Sequence, residues 1–111
     1  MSKSKKELQA ELVEVKKKYE GIAVYRMDTY IDEKDEEQRT IFLRKPTRMV
    51  RTAAEKVTTT DAWKGVETFL RGMHVGGDDL EEILKNDDAL MICGAALVEI
   101  IQLRPGNVQK V

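Results

Sequence analysis

The chain is poor in the residues that most often mark a chemical site. Its 111 residues include one cysteine and one histidine, and aromatics make up only 5%. The single cysteine, Cys93, excludes an intramolecular disulfide and a cysteine-based zinc cluster. His74 has no helical partner, whereas zinc takes three or four protein ligands at characteristic spacings. The sequence therefore predicts no metal site and no cofactor.

Long apolar segments and a net charge of either sign are also missing. The longest apolar segment, residues 89–103, is shorter than the roughly 18 residues that a membrane span needs, and it contains Glu99. The first residues, Met-Ser-Lys-Ser-Lys, are not followed by the apolar region of a signal peptide. A net charge of −1 gives no overall attraction to nucleic acid or to an anionic membrane. We therefore expect a protein of the cytoplasm or of the interior of a particle, without membrane binding.

Catalytic motifs are absent as well. No Ser/His/Asp or Cys/His set has supporting spacing, and Gly76-Gly77 lacks the other residues of a phosphate-binding loop. The acidic residues 78–82 do not follow the spacing of a calcium loop, so they predict a solvated acidic surface. Cys93 lies in an apolar segment and is predicted to be buried and unreactive. The sequence predicts no catalytic residue and a protein that is not an enzyme.

Periodicity, in contrast, predicts an amphipathic helix over residues 4–20. Ser4 and Glu7 have the spacing of a capping box, and Gly21 is a natural helix terminator. The apolar residues of this segment recur at helical spacing and form one narrow stripe. They are Leu8, Leu12, Val15 and Tyr19. We expect this stripe to pack as a single seam, either on its own domain or on another copy, and to be a candidate partner-binding surface.

A β-hairpin is predicted next. Residues 22–31 alternate as a strand does, and residues 39–45 form the return strand after a polar loop over 33–38. Two strands alone are barely stable, so the hairpin must pack against helices or pair its edge with a neighbouring strand. Pro46 ends the second strand, and its fixed φ suits the first turn of a helix.

The remainder of the chain predicts mostly helix. Trp63 and Phe69 are expected to be the largest core side chains, and the last helix, apolar almost all round, is expected to be buried on most sides. The predicted elements are helices over 47–57, 62–73 and 88–103, a turn over 74–79, and a short helical turn or strand over 80–84. The predicted fold class is α+β, mostly helical, with one β-hairpin packed on a bundle of about four helices. The predicted organisation is an N-terminal helix over 1–21, a core domain over 22–103 and a polar tail over 104–111.

Four cations crowd the junction between the second strand and the helix that follows. They are Arg44, Lys45, Arg48 and Arg51. Three interpretations are open: ion pairing with an acidic surface such as residues 78–88 of this or another copy, binding of phosphates, or a solvated surface. Acidic segments balance these cations and no stacking aromatics flank them, which disfavours nucleic acid. We therefore expect the four to be partner-binding residues.

Three segments carry a resemblance to a known group of proteins. After the hairpin come LRKPTR at 43–48, DAWKGVETFLRGMHVGGD at 61–78 and DDALMICGAALVEII at 87–101. This order resembles small proteins of tailed bacteriophages that are encoded among virion and tail genes and are often called tail assembly chaperone-like. The likeness covers residues 22–103, and the predicted helix over 4–20 lies outside it.

The resemblance implies a non-enzymatic protein that binds other phage proteins in the host cytoplasm during assembly. A tail chaperone of this kind is thought to coat the long tape-measure protein and keep it soluble before the tail tube forms. A structural virion protein that self-associates in the particle is the alternative. A nucleic-acid-binding module using the four cations is a third hypothesis.

Overall fold

The structure is a computed structural model and describes residues 2–32, 34 and 37–101. In that part of the chain it is an α+β fold of five helices and a three-stranded antiparallel sheet, which confirms the predicted fold class. The elements in chain order are α1 (Lys5–Lys18), β1 (Val24–Tyr30), β2 (Gln38–Arg44), α2 (Arg48–Thr58), α3 (Ala62–Met73), β3 (His74–Gly77), α4 (Leu80–Leu84) and α5 (Asp87–Ile101).

Helix α1 begins at the predicted capping box. The Ser4 hydroxyl accepts a hydrogen bond from the Glu7 amide at 3.2 Å, and the Ser4 amide donates to the Glu7 carboxylate at 3.5 Å. Leu8 and Val15 are buried. The apolar stripe of α1 was expected to pack either on its own domain or on another copy, and in the structure it packs on its own domain.

The sheet has the strand order β1-β2-β3 and separates two apolar layers. Side chains alternate along a strand, so Ile41 and Leu43 point to one face and Phe42 to the other. Ile41 and Leu43 belong to the main core with the helices α2–α5. Gly76 lies opposite Phe42, and a side chain at Gly76 would meet Val15, which places α1 on the Phe42 face. The central strand β2 is therefore buried on both faces.

Strand β3 replaces the turn that was predicted over residues 74–79. It pairs antiparallel with β2, with Gly77 opposite Ile41 and His74 opposite Leu43. Gly77 has a φ of 96°, and a Cβ there would lie 2.5 Å from the Thr40 carbonyl oxygen. The glycine pair thus permits a close approach of two backbones. Glycine pairs occur both in tight turns and at such close approaches, and the sequence pattern does not distinguish the two.

The predicted helix boundaries after the hairpin are confirmed to within a residue or two. Thr47 caps α2, accepting from the Val50 amide at 3.3 Å, and Asp61 caps α3. Residues 80–84 adopt the helical alternative as α4. The Asn86 side chain accepts from the Ala89 amide at 2.9 Å and so caps α5. The predicted end of α5 at 103 and the predicted tail over 104–111 lie outside the described residues.

Two expectations about the core were wrong. Phe69 is buried as predicted, but Trp63 is 51% exposed, and Phe42 has the largest of the fully buried side chains. Helix α5 is buried along one face only, since Met91 and Val98 are 56% and 54% exposed. Helix α5 contacts β1, α3 and α4, and in the described part of the chain no layer covers its outer face. None of the described helices is long and apolar enough to cross a bilayer.

Candidate protein-binding surfaces

The four predicted cations do not converge on one site. Arg44 lies on the α1 side of the sheet, where its guanidinium is 5.3 Å from the centre of the Tyr19 ring. Arg51 lies on the side of α5, where its Nη1 donates to the Ile101 carbonyl at 3.3 Å. That contact places a cation at carbonyl groups near the helix C-terminus, where the helix dipole favours positive charge. Lys45 and Arg48 are exposed. The structure therefore brings Arg44 and Tyr19 together but separates Arg44 from Arg51.

The acidic segment over 78–88 pairs with other arginines of the described chain. Arg39 is 8% exposed and bonds Glu82 at 2.9 Å, and this hydrogen bond holds the pKa of Glu82 below its ordinary value. Arg71 pairs with Glu81 across the surface. Intramolecular ion pairing of the segment thus involves Arg39 and Arg71, two residues that lie outside the predicted cluster.

Asp78 was expected on a solvated acidic surface, and this expectation was wrong. Its side chain is buried, and its carboxylate accepts from the Thr40 amide at 2.8 Å and from the Lys3 amide at 2.6 Å. The Asp78 amide in turn donates to the Thr40 carbonyl at 2.7 Å. A buried carboxylate is stable when backbone amides satisfy it, so Asp78 joins the start of α1 to the end of β3.

The apolar stripe of α1 is largely occupied by contacts within the chain. Leu8 and Val15 are buried, while Leu12 and Tyr19 are half-buried. Glu11 links α1 to β3, because its carboxylate pairs with the Lys3 ammonium and accepts a hydrogen bond from the Gly77 amide. Burial raises the pKa of Glu11, but the hydrogen bonds from Lys3 and Gly77 together bring it below its ordinary value. A partner could reach Leu8 or Val15 only by displacing α1.

An exposed apolar surface lies between α3 and α5. Trp63 on α3 and Met91 on α5 line a groove of about 390 Å³, together with Leu90 and Asp87. The exposed apolar face of α5 continues from this groove at helical spacing, through Ala95 to Val98. We call Trp63, Met91, Ala95 and Val98 the apolar strip. The sequence pattern did not indicate this strip, because the hydrophobicity of Trp63 and of α5 predicted that both would lie in the core.

A second surface is the outer edge of β1, which pairs with no strand in the part of the chain that the structure describes. The Lys45 amide donates to the Ala23 carbonyl at 2.9 Å, and the Ile31 amide donates to the Glu37 carbonyl at 3.0 Å. Because backbone groups alternate in direction along an antiparallel strand, the odd-numbered residues bond to β2. The N–H and C=O groups of the four even-numbered residues then point outward. These residues are Val24, Arg26, Asp28 and Tyr30.

The single histidine and the single cysteine lie on different elements, His74 on β3 and Cys93 on α5. Burial lowers the pKa of His74, and its Nε2 is buried without a hydrogen-bond partner. Burial raises the pKa of Cys93 to about 11, so its thiol is neutral at ordinary pH. Among residues 2–32, 34 and 37–101, no three His, Cys, Asp or Glu side chains are grouped so that they could hold a metal ion. The surfaces that stand out are the two described above, which suit contacts with other polypeptides.

Comparison of the chain with protein-family models, with curated protein sequences and with solved structures returned no match.

Proposed function

We propose that this chain is a non-enzymatic assembly protein that binds another protein through the apolar strip. The resemblance to small tailed-phage proteins suggests the biological process in which this binding takes place. In that setting the protein is tail assembly chaperone-like, acts in the host cytoplasm, and binds a phage protein such as the tape-measure protein. The strip, and not the cluster of cations, is then the main contact surface.

The observation that carries the proposal is the half exposure of Trp63 beside Met91. Both side chains are more than 50% exposed, although the chain buries smaller apolar groups completely. Tryptophan and methionine are enriched at protein interfaces, and tryptophan is among the residues that contribute most to binding energy. An exposed tryptophan next to an open groove is therefore better explained by a partner than by the stability of the isolated domain.

The shape and charge of the strip indicate the kind of partner. Met91, Ala95 and Val98 span two turns of α5, about 10 Å at 1.5 Å per residue. This length suits an amphipathic helix that presents apolar residues at matching spacing. Asp87 lines the groove, and Asp88 follows it in the first turn of α5. A partner helix with lysine or arginine beside its apolar face would complement these carboxylates.

Trp63 is the only tryptophan of the chain, so its fluorescence reports directly on the proposed site. Co-expression with the tape-measure protein of the same phage should yield a soluble complex. Adding a helical fragment of that partner to the purified protein should shift the emission of Trp63 to shorter wavelength, because the indole ring becomes shielded from water.

Met49→Ser provides a matched control, because Met49 is 81% exposed but lies on α2, away from the strip. The variant Met91→Ser should weaken partner binding at least about tenfold, as loss of a central apolar contact does. The variant Met49→Ser should bind as the original protein does. A tape-measure protein that stays insoluble and unbound during co-expression would refute the proposal.

A structural virion protein is the second candidate, and the unpaired edge of β1 favours it because that edge offers a surface for self-association. Mass spectrometry of purified particles distinguishes the two candidates: a stoichiometric amount of the protein supports the structural role, and its absence excludes it. The third hypothesis, nucleic-acid binding through the four cations at the strand-to-helix junction (Arg44, Lys45, Arg48 and Arg51), predicts binding that weakens steeply with salt. Absence of binding at low salt would exclude it.

A further inference from the structure

Within the described residues, no strand pairs with the outer edge of β1. Its seven residues bond to β2 on one side only, so four N–H and four C=O groups point away from the sheet. A groove of about 510 Å³ runs beside this edge, between residues 24–28 and the C-terminal half of α5. Ala96, Glu99 and Ile100 line the groove on the α5 side. Helix α1 contacts β3, two strands away, and residues near its start share a small pocket with Arg26.

The charges on this edge form a self-complementary pair. Arg26 and Asp28 are both exposed, and they lie on the same face of the strand because they are two residues apart. We propose that two copies of this chain join β1 to β1 in antiparallel fashion about a two-fold axis at Met27. The two sheets then form one continuous sheet of six strands.

This register satisfies the backbone and the charges together. Met27 lies opposite Met27 of the second copy, and each Arg26 lies opposite Asp28 of the other chain. All four outward-pointing residues then face outward-pointing residues, in four pairs that exchange about eight backbone hydrogen bonds. Val24 lies opposite Tyr30 of the second copy, an aromatic and β-branched pair of the kind that stabilises adjacent strands.

Neighbouring registers either lose backbone hydrogen bonds or place like charges opposite each other. A slip of one residue places outward-pointing groups opposite groups that already bond to β2, so the new ladder loses its hydrogen bonds. Moving the axis to Arg26 sets two arginines directly opposite each other, and moving it to Asp28 sets two aspartates opposite each other. Like charges directly opposite destabilise a strand pair, so charge selects the register centred on Met27.

The contacts that Asp28 already makes are compatible with this pairing. Its Oδ1 accepts from the Thr40 hydroxyl at 2.6 Å and from Arg26 of its own chain at 3.1 Å. These hydrogen bonds bring the pKa of Asp28 below its ordinary value although burial acts to raise it, so the carboxylate remains charged near neutral pH. In the dimer the two arginines and two aspartates alternate across the axis, so each of the two arginines has an aspartate beside it and an aspartate opposite it.

The test uses charge reversal on the full chain. Sedimentation equilibrium should show a dimer for the original protein. Arg26→Asp alone and Asp28→Arg alone should each give monomers, because each variant sets like charges opposite one another at both pairs. Mixing the two monomeric variants should restore dimers, since every cross-strand pair then again joins an acid and a base. Circular dichroism of each variant checks that the fold is retained.

Three results would overturn the proposal. One is an original protein that stays monomeric at high micromolar concentration, including a monomer whose edge instead pairs with an extended peptide of another protein. Another is a dimer that survives both single reversals. The third is a mixture of the two variants that stays monomeric.

Hydrogen exchange tests the same proposal without any substitution. The amides of Val24, Arg26, Asp28 and Tyr30 should exchange more slowly as the protein concentration rises. Exchange at these amides that does not depend on concentration would also refute the pairing. The edge of β1 and the apolar strip are different surfaces, so dimerisation and partner binding can fail independently.

Discussion

Replacing Gly77 with alanine should destabilise the domain far more than replacing Gly21. Both glycines have a positive φ, 96° at Gly77 and 84° at Gly21. A Cβ at Gly21 would have no atom within 4 Å, whereas a Cβ at Gly77 would lie 2.5 Å from the Thr40 oxygen and 2.7 Å from the Ile41 Cα. The pair therefore separates the cost of backbone conformation from the cost of steric overlap.

The two costs can be estimated separately. An alanine in the left-handed region costs about 1–2 kcal/mol, and this is the whole effect expected for Gly21→Ala. At Gly77 the overlap is with backbone, so β3 must move away from β2. That movement weakens the hydrogen bond from the Asp78 amide to Thr40 and the one from the Gly77 amide to Glu11. At about 1 kcal/mol for each hydrogen bond, the total for Gly77→Ala is about 3–4 kcal/mol.

Urea unfolding followed by far-ultraviolet circular dichroism measures both variants, because helices dominate the described chain. The unfolding midpoint should fall much further for Gly77→Ala than for Gly21→Ala, with a similar slope in urea if unfolding stays two-state. Equal losses for the two variants would show that β3 does not lie against β2 as described, and would refute the reasoning.

Two further predictions concern titratable groups whose pKa is shifted in the folded chain. Because burial lowers the pKa of His74 from 6.5, the unfolded chain binds a proton that the folded chain excludes, so stability is full above pH 6.5 and falls as the pH drops below it. Glu11 and Glu82, whose pKa values lie below 4.5, add a second loss of stability only below pH 4.5. Urea unfolding midpoints measured across this pH range should show both losses. If the loss that begins at pH 6.5 persists in His74→Gln, its assignment to His74 is wrong. Cys93 is fully buried and its pKa is about 11, so an aromatic disulfide reagent should label it only as fast as the protein unfolds; rapid labelling under native conditions would contradict its position in the core.

Local signals in the sequence predicted the helices and the hairpin well. The capping box predicted at Ser4 begins α1 in the structure, and the side chains of Thr47 and Asp61 likewise satisfy free amides at the starts of α2 and α3. Such signals depend on residues within one turn, so they can be interpreted without knowing the rest of the fold. The residues of β3 carry no such signal, since two of its four are glycines and its pairing depends on an edge of β2 more than thirty residues earlier.

The candidate binding surfaces were harder to predict than the fold. The free edge of the hairpin was anticipated, because two strands necessarily leave edges. The apolar strip was not, because hydrophobicity shows that Trp63 and Met91 favour burial but does not show whether another layer covers them. The expected clustering of the cations was wrong, since residues close in sequence at a strand-to-helix junction can lie on different sides of the sheet, as Arg44 and Arg51 do.

The sequence by itself therefore determined the α+β class, the helix starts, the hairpin and the burial of Cys93, all of which follow from short-range patterns of polarity and capping. Only the tertiary structure decided that Gly76 and Gly77 complete a third strand, that Asp78 is buried, and that Trp63 is exposed. Each of these depends on which segment, distant in sequence, packs against the residue concerned. That contact is set by the packing of the whole chain, and no local window of residues specifies it.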